Sequence, residues 1–296
     1  MRVCVVFNPA AKGNRARHFR QHMDGLGADC TLKPTAAPGA GRQLAAEAVR
    51  EGFDTIVAAG GDGTLNEVLN GIDSVAHGLD HVRLGLLPLG TVNVFARELG
   101  LPLAVERAWA VIRSGRERIL DLAVAEFGPP GNRQRRCFAQ LGGAGLDARA
   151  VELVNWGLKK KIGPLAYVVA ALRAMREPQV PVTVQAASET LTGELVLVGN
   201  GRFYGGRFVV FPGAKATDGL LDVCVLPKLT WWTVVRCGAG LLGGRVDRHL
   251  GARHLQAECV TLSAPRRVPL QLDGESVGEL PATFTVRRMA LRVLVP

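Results

Sequence analysis

The hydrophobic period changes once along this chain, near Asp121, and that change limits the available folds more than any other feature. Before it, Val3–Phe7, Thr55–Ala59 and Leu84–Leu87 are short apolar runs, each closed by a loop rich in glycine, proline or small polar residues. Between them, Leu44, Ala45, Ala48 and Val49 recur at helical spacing, as do Leu65, Val68, Leu69 and Ile72, and a further helix is predicted near Val92–Leu99. Fully apolar strands alternating with amphipathic helices predict a parallel sheet covered on both faces. After Asp121 the period becomes two: Val180, Val182 and Val184, then Leu270 and Leu272, Phe284 and Val286, and Leu291, Val293 and Val295. That pattern predicts an antiparallel sheet, with helical stretches over Val151–Met175 and Leu229–Leu255. The expected fold class is α/β with two domains, and 296 residues suffice to bury a core without disulfides or metal staples.

Gly60-Gly61-Asp62-Gly63-Thr64 falls between a predicted strand and a predicted helix. Glycine lets backbone N–H groups approach a phosphate with no Cβ in the way, and the following helix aims its positive end at the same point. The bland alternative is a plain strand-to-helix turn, with Thr64 and Glu67 as a capping box. Asp62 weighs against it, because a carboxylate beside a polyphosphate repels unless a cation such as Mg²⁺ lies between them.

The balance of 36 Lys and Arg against 26 Asp and Glu gives +10, which favours anionic partners. No aromatic-interleaved or helix-turn-helix pattern supports nucleic acid as that partner. No stretch reaches the ~18 apolar residues of a membrane span; the best run, Leu165–Leu172, stops at Arg173. Val3–Phe7 is too short for a signal-peptide core, and six scattered cysteines without a CxxC pair suit a reduced cytoplasmic protein. Gly238–Gly243 matches GxGxxG but lacks the strand–helix–strand setting a dinucleotide site needs. His18 with His22, and His77 with His81, are spaced four apart but have no further convincing metal ligand.

The glycine turn extends into Gly60-Gly61-Asp62-Gly63-Thr64-Leu65-Asn66-Glu67-Val68, which resembles the GGDGTxNEV signature of the diacylglycerol kinase catalytic domain. That family includes bacterial diacylglycerol and phosphatidylglycerol kinases and eukaryotic sphingosine and ceramide kinases. Gly90–Arg97 resembles GTxNDFAR, with Val94 in place of the usual Asp, and Gly143–Ala148 resembles GxGFDA. Gly199-Asn200-Gly201 with Tyr204-Gly205-Gly206, Asp218-Gly219-Leu220-Leu221-Asp222-Val223 and Leu272-Asp273-Gly274-Glu275 resemble later segments, in the family's order. The resemblance spans essentially the whole chain. It implies a nucleotide-binding α/β domain at 1–121, a β-sandwich-like lipid-substrate domain at 122–286, and a strand at 287–296 returning to the first domain, with the active site in the cleft.

By the same resemblance, Asn8, Pro9, Ala10, Ala11, Lys12, Thr35, Gly60, Gly61, Asp62, Gly63, Thr64, Leu65, Asn66 and Thr91 line the nucleotide. Asp218 and the carbonyls of Lys215 and Leu220 hold a structural Mg²⁺. The implied reaction moves the γ-phosphoryl of ATP to a lipid hydroxyl, chemistry that is mostly positioning and charge neutralisation. An alcohol is a weak nucleophile, so a carboxylate should accept its proton. Asp273 and Glu275 are the candidates, acting with Asp62 and Mg²⁺, and the choice between them stays open; Asp-Gly is equally a hairpin-turn signal. Diacylglycerol, phosphatidylglycerol and a sphingoid base all offer a suitable hydroxyl.

Two segments place tryptophan beside basic residues, Trp156–Ile162 with Lys159, Lys160 and Lys161, and Trp231-Trp232 followed by Arg236, Arg245 and Arg248. Both suit peripheral contact with an anionic membrane surface. Oligomeric state is left open, a homodimer included. NAD kinase, whose related fold also carries GGDGT, is disfavoured by the Thr64–Val68 continuation and by the later GTxN and LDGE segments. A non-catalytic lipid binder of the same fold is disfavoured by the retained Asp62, Asp273 and Glu275.

Overall fold

The computed structural model describes residues 1–11, 13–21, 30–154, 165–242 and 251–296. The chain divides into two compact units, Met1–Leu122 with Arg288–Pro296, and Ala123–Arg287. In chain order the first unit contains β1 (Val3–Phe7), α1 (Asn14–Gln21), β2 (Thr31–Pro34), α2 (Ala40–Arg50), β3 (Thr55–Gly60), α3 (Asp62–Asp73), α4 (Gly78–His81), β4 (Arg83–Pro88), α5 (Val94–Glu98) and α6 (Val105–Ser114). Strand β5 (Glu117–Phe127) leads out of it. The second unit contains β6 (Gln134–Phe138), β7 (Leu141–Gly145), α7 (Leu146–Leu153), α8 (Leu165–Ala174), β8 (Val182–Ala186), β9 (Glu189–Gly193) and β10 (Leu195–Gly199). It continues with β11 (Phe203–Tyr204), β12 (Phe208–Val209), β13 (Leu221–Leu226), α9 (Trp231–Leu242), β14 (Arg253–Ala257), β15 (Cys259–Ser263), β16 (Pro269–Leu272) and β17 (Glu275–Glu279). Strand β18 (Ala282–Leu294) leads back into the first unit.

In the first unit β2, β1, β3 and β4 lie side by side and parallel, and the end of β18 adds parallel to β4 at Val293–Leu84. Every residue of β1 and β3 is buried, as a sheet covered on both faces requires. Val3, Val5, Phe7, Val57 and Ala59 share one core with Ala16 and Phe19 of α1 and Val105, Ala108, Trp109 and Ile112 of α6. The latter four fall at i, i+3, i+4, i+7, one face of a helix. Helices α2 and α3 pack closely because Gly71 carries no side chain: a Cβ there would sit 2.3 Å from the Arg42 carbonyl oxygen. The returning segment is fastened by the Met289 N–H to Asp121 Oδ1 at 2.7 Å and by Arg292 Nε to Glu117 Oε1 at 2.7 Å.

The second unit is an antiparallel sandwich. One sheet runs β14-β13-β10-β7-β16-β17; the other contains β9, β8, β15 and the first part of β18, and β5 also pairs with β6. Alternate residues of the two sheets meet in one core, Val182, Val184, Val260 and Leu262 with Val196, Val198, Val223, Val225, Leu270 and Leu272. Phe138 and Phe284 cross edge to face within it, 5.8 Å apart.

The expected strands and the α/β-then-antiparallel order are present. The helix predicted over Leu229–Leu255 is not continuous: α9 ends at Leu242, and Arg253–Leu255 belong to β14, paired with β13. The helix expected over Val151–Met175 covers α7 and α8, with 155–164 outside the described residues. Among the described residues, no helix is long and apolar enough to cross a membrane.

Candidate active site

The first unit brings together the loops after four parallel strands. Asn8–Ala11 follows β1, Thr35 follows β2, Gly60–Asn66 ends β3 and opens α3, and Leu89–Thr91 follows β4. The chain leaves β1 for β2 on one side and returns to β3 on the other, so these loops edge a topological switch point, where open α/β sheets bind ligands. The Asn8 loop is an Asx turn, with the Ala10 N–H on Asn8 Oδ1 at 2.8 Å, and Arg20 donates to the Pro9 and Ala11 carbonyls. Lys12 lies outside the described residues. Thr35 is held to β1 by its N–H on the Phe7 carbonyl at 2.9 Å.

The glycine turn and the Gly90 loop touch backbone to backbone. Gly60 accepts N–H groups from Leu89 and Gly90, and a Cβ on Gly90 would lie 2.5 Å from Gly61 Cα. Helix α3 starts at Asp62 with Gly61 as its N-cap and no capping side chain. The capping-box expectation therefore fails: Thr64 is already inside the helix, its side chain against Gly60. Glu67 instead accepts the N–H groups of Gly39 and Gly41, both at 2.8 Å, and so caps α2, whose own N-cap Gly39 has no side chain.

Gly60, Gly61, Asp62, Leu65 and Asn93 line a small, shallow concavity that opens to solvent. Asp62 Oδ1 accepts the Phe95 N–H at 3.4 Å. Asn93 is 3% exposed with φ 53°, and its Nδ2 donates to the Pro88 and Gly90 carbonyls, while its Oδ1 has no partner among the described residues. A buried carbonyl oxygen without a donor, beside a carboxylate, suits a hard cation or a ligand N–H. Val94, where the resembled motif has Asp, opens α5 half-buried. Arg15 donates to the Gly90 carbonyl, which puts a guanidinium at this loop. The sequence reading missed it, because a single arginine on a polar helix has no signature. Asn66 is buried and accepts from Asn70 Nδ2, which braces the helix from inside.

In the second unit Asp273 and Gly274 form the two-residue loop between β16 and β17, with φ 50° and 84°, the left-handed pair of a type I′ turn. The Asp273 carboxylate accepts three backbone N–H groups, from Ala139 at 2.8 Å, Gln140 at 2.9 Å and Leu141 at 3.1 Å. Glu275 opens β17 half-buried. Behind the turn, Gln271 Oε1 accepts the Gly274 N–H and Gln271 Nε2 donates to Asp147 Oδ2, both at 2.8 Å. Tyr204 donates its hydroxyl to Asp147 Oδ1. Asp147 is buried, and burial pushes its carboxyl above the usual range against the lowering effect of those two donors. Gly143 leaves the room: a Cβ there would meet Asp147 Oδ2 at 2.1 Å.

Lys215, Asp218 and Leu220 lie on one loop of this unit, Lys215 exposed and the other two half-buried, where the Leu220 N–H donates to Asp218 Oδ1 at 3.0 Å and Gly219 has φ 76°. Burial first, and the neighbouring Asp218 charge as well, push Asp222 up to about 6 despite its bond from Gln256. Carbonyl and carboxylate oxygens next to a second acid fit an oxygen-preferring divalent cation. Among the described residues, no three His, Cys, Asp or Glu side chains converge as a metal cluster. His18 pairs with Glu106 and His77 with Asp80.

Residues 2–125 match the family profile described as the diacylglycerol kinase catalytic domain, and residues 142–295 that of the YegS C-terminal NAD kinase beta sandwich-like domain. A probable lipid kinase YegS-like of Stenotrophomonas maltophilia is 31% identical over 282 residues, 92% of this chain and 89% of that protein. A diacylglycerol kinase of Bacillus subtilis is 28% identical over 309 residues, covering 100% of this chain and 96% of that protein. The crystal structure of a Bacillus anthracis diacylglycerol kinase shares the fold, with a TM-score of 0.74 at 21% identity over 100% of this chain and 97% of that one.

Proposed function

Because the chain belongs to the diacylglycerol kinase catalytic-domain family and is a kinase, we propose that it moves the γ-phosphoryl group of Mg²⁺-bound ATP to the hydroxyl of a diacylglycerol-like lipid. Phosphatidylglycerol and a sphingoid base are the competing acceptors. The observation that carries this reading is the gathering of Asn8–Ala11, Thr35, Gly60–Asn66 and Thr91 at the carboxyl ends of one parallel sheet. In it the first unit, closed by residues 287–296, is the nucleotide domain, and residues 122–286 form the lipid-substrate domain.

The uncapped start of α3 and the backbone N–H groups of Gly61–Thr64 receive the phosphates. Arg15, at the Gly90 carbonyl, adds positive charge, and Lys12, outside the described residues, is the second cation this reading assigns to the phosphates. Asp62 and the Asn93 amide oxygen supply ligands for the nucleotide's cation, Asn93 serving where Val94 has no carboxylate to offer. An Mg²⁺ ion held by Asp62 and Asn93 would neutralise charge developing on the transferred group. Asp218 and the Lys215 and Leu220 carbonyls would hold a second, structural ion.

Glu275 takes the role of proton acceptor from the lipid hydroxyl. Asp273 is the weaker candidate, since three N–H donors occupy its lone pairs, and its role is to hold the turn that carries Glu275. Glu275→Gln should lower kcat by about 10²–10⁴ and leave nucleotide affinity unchanged, as read by titration calorimetry with a non-hydrolysable ATP analogue. Unchanged kcat would move the base elsewhere.

The activity test is incubation with labelled ATP and Mg²⁺ against diacylglycerol, phosphatidylglycerol, sphingosine and NAD in parallel. Label on a lipid identifies the acceptor. Label on NAD alone would replace the proposal with NAD kinase activity, and label on none would leave a lipid binder.

A further inference from the structure

Six large apolar side chains are conspicuously exposed among the described residues, and three lie within five positions at the start of α9: Trp231 at 50%, Trp232 at 76% and Val235 at 53%. The helix holds them outward. Thr230 caps it, accepting the Thr233 N–H at 3.1 Å, while the Thr230 N–H reaches Thr233 Oγ1 at 3.3 Å. Leu229 and Val234 anchor its inner side in a core shared with Leu141, Cys224 and Leu226. Positions 231, 232 and 235 then project within an arc of about 100° on the opposite side.

Along the chain the charge here has one sign, and the Glu194 carboxylate that meets this segment accepts the Leu229 N–H. No acidic residue occurs from Val223 to Val246, and Lys228 and Arg236 flank the indoles, both exposed. Indole rings settle at the headgroup level of a bilayer, and adjacent cations are drawn to anionic lipid. A second copy of the chain is a poor occupant, because a two-fold contact would set the ridge's basic residues against themselves. Three side chains also fall well short of the ~1,000 Å² a specific protein interface needs.

We propose that the first turn of α9 is a docking ridge that seats the protein on a bilayer surface containing anionic phospholipid. The proposal deepens the lipid-kinase reading and rests on it for its purpose, since an acceptor embedded in a bilayer must be met at that surface. Its test reads binding, not activity. The full chain is sedimented with vesicles of phosphatidylcholine with and without phosphatidylglycerol. Wild type should bind the phosphatidylglycerol vesicles more tightly and lose that preference as salt rises.

Trp231→Gln with Trp232→Gln should weaken binding about tenfold or more. Lys228→Gln with Arg236→Gln should erase the preference for phosphatidylglycerol. Wild-type fluorescence should be quenched by brominated phosphatidylglycerol, a readout independent of any variant's folding. Equal binding by wild type and the tryptophan variant, or no quenching, overturns the proposal. So does a wild-type dimer in light scattering that the tryptophan variant converts to monomer, which would assign the ridge to self-association. If vesicle binding behaves as stated while no lipid is phosphorylated, the kinase reading fails and the ridge stands.

Discussion

A carboxylate that receives three backbone N–H groups acts as a fastener, and Asp273 is one. The turn it holds is tied a second time through Gln271, whose amide spans Gly274 and the buried Asp147, itself bonded by Tyr204. Tyr204→Phe would leave a buried carboxyl oxygen without its donor and should lower unfolding free energy by ~1–3 kcal/mol in urea. Asp147 also predicts a pH effect. Burial raises its folded-state pKa, so the native protein holds that proton more firmly than the unfolded chain. Stability should then fall as pH rises from the ordinary carboxylate range through the raised value. Asp147→Asn should remove that part of the slope in urea midpoints measured across pH; an identical slope in both proteins would refute the assignment. The glycine turn with Asp62 was legible in sequence, because strand, turn and helix are adjacent there. The roles of Asp147, Gln271 and Tyr204 were not, since their meeting depends on partners 57 and 124 residues away.

Elements differ in how openly they declare themselves. Strands β1, β3 and β4 read as apolar runs because nearly every residue in them is buried. Strand β14 hides, with Arg253, His254 and Gln256 exposed and only Ala257 buried, so its sequence continues a helical pattern without an audible break. Glu67 misleads for the opposite reason: Thr-x-x-Glu spells a local cap, but the helix begins earlier, at a glycine, and the carboxylate crosses to α2. Glu67→Ala should therefore destabilise the first unit by ~1–2 kcal/mol through loss of the α2 cap, seen as a lower denaturant midpoint and faster amide exchange at Gly39 and Gly41. Protection lost at the start of α3 instead would mean that the glutamate caps its own helix.

At the scale of the molecule, the period change near Asp121 announced two kinds of sheet, and both exist. Periodicity alone did not say that the last residues serve the first sheet, since Leu291 and Val293 alternate like the strand residues just before them. Their burial makes the segment structural: Leu291, Val293 and Leu294 are each no more than 2% exposed. Truncation after Arg287 should leave the first unit unable to bind a fluorescent ATP analogue, and the same protein should regain binding when a peptide of residues 288–296 is supplied in trans. Binding by the truncated protein at wild-type affinity would show the strand to be dispensable. Because residues 123–287 interrupt the first unit, a ribosome making this chain must finish the whole sandwich before the final nine residues can close the sheet it began with. A half-made protein therefore spends most of its synthesis with one strand missing from that sheet, and the window for chaperone capture, or for pairing with a neighbouring nascent chain, opens there.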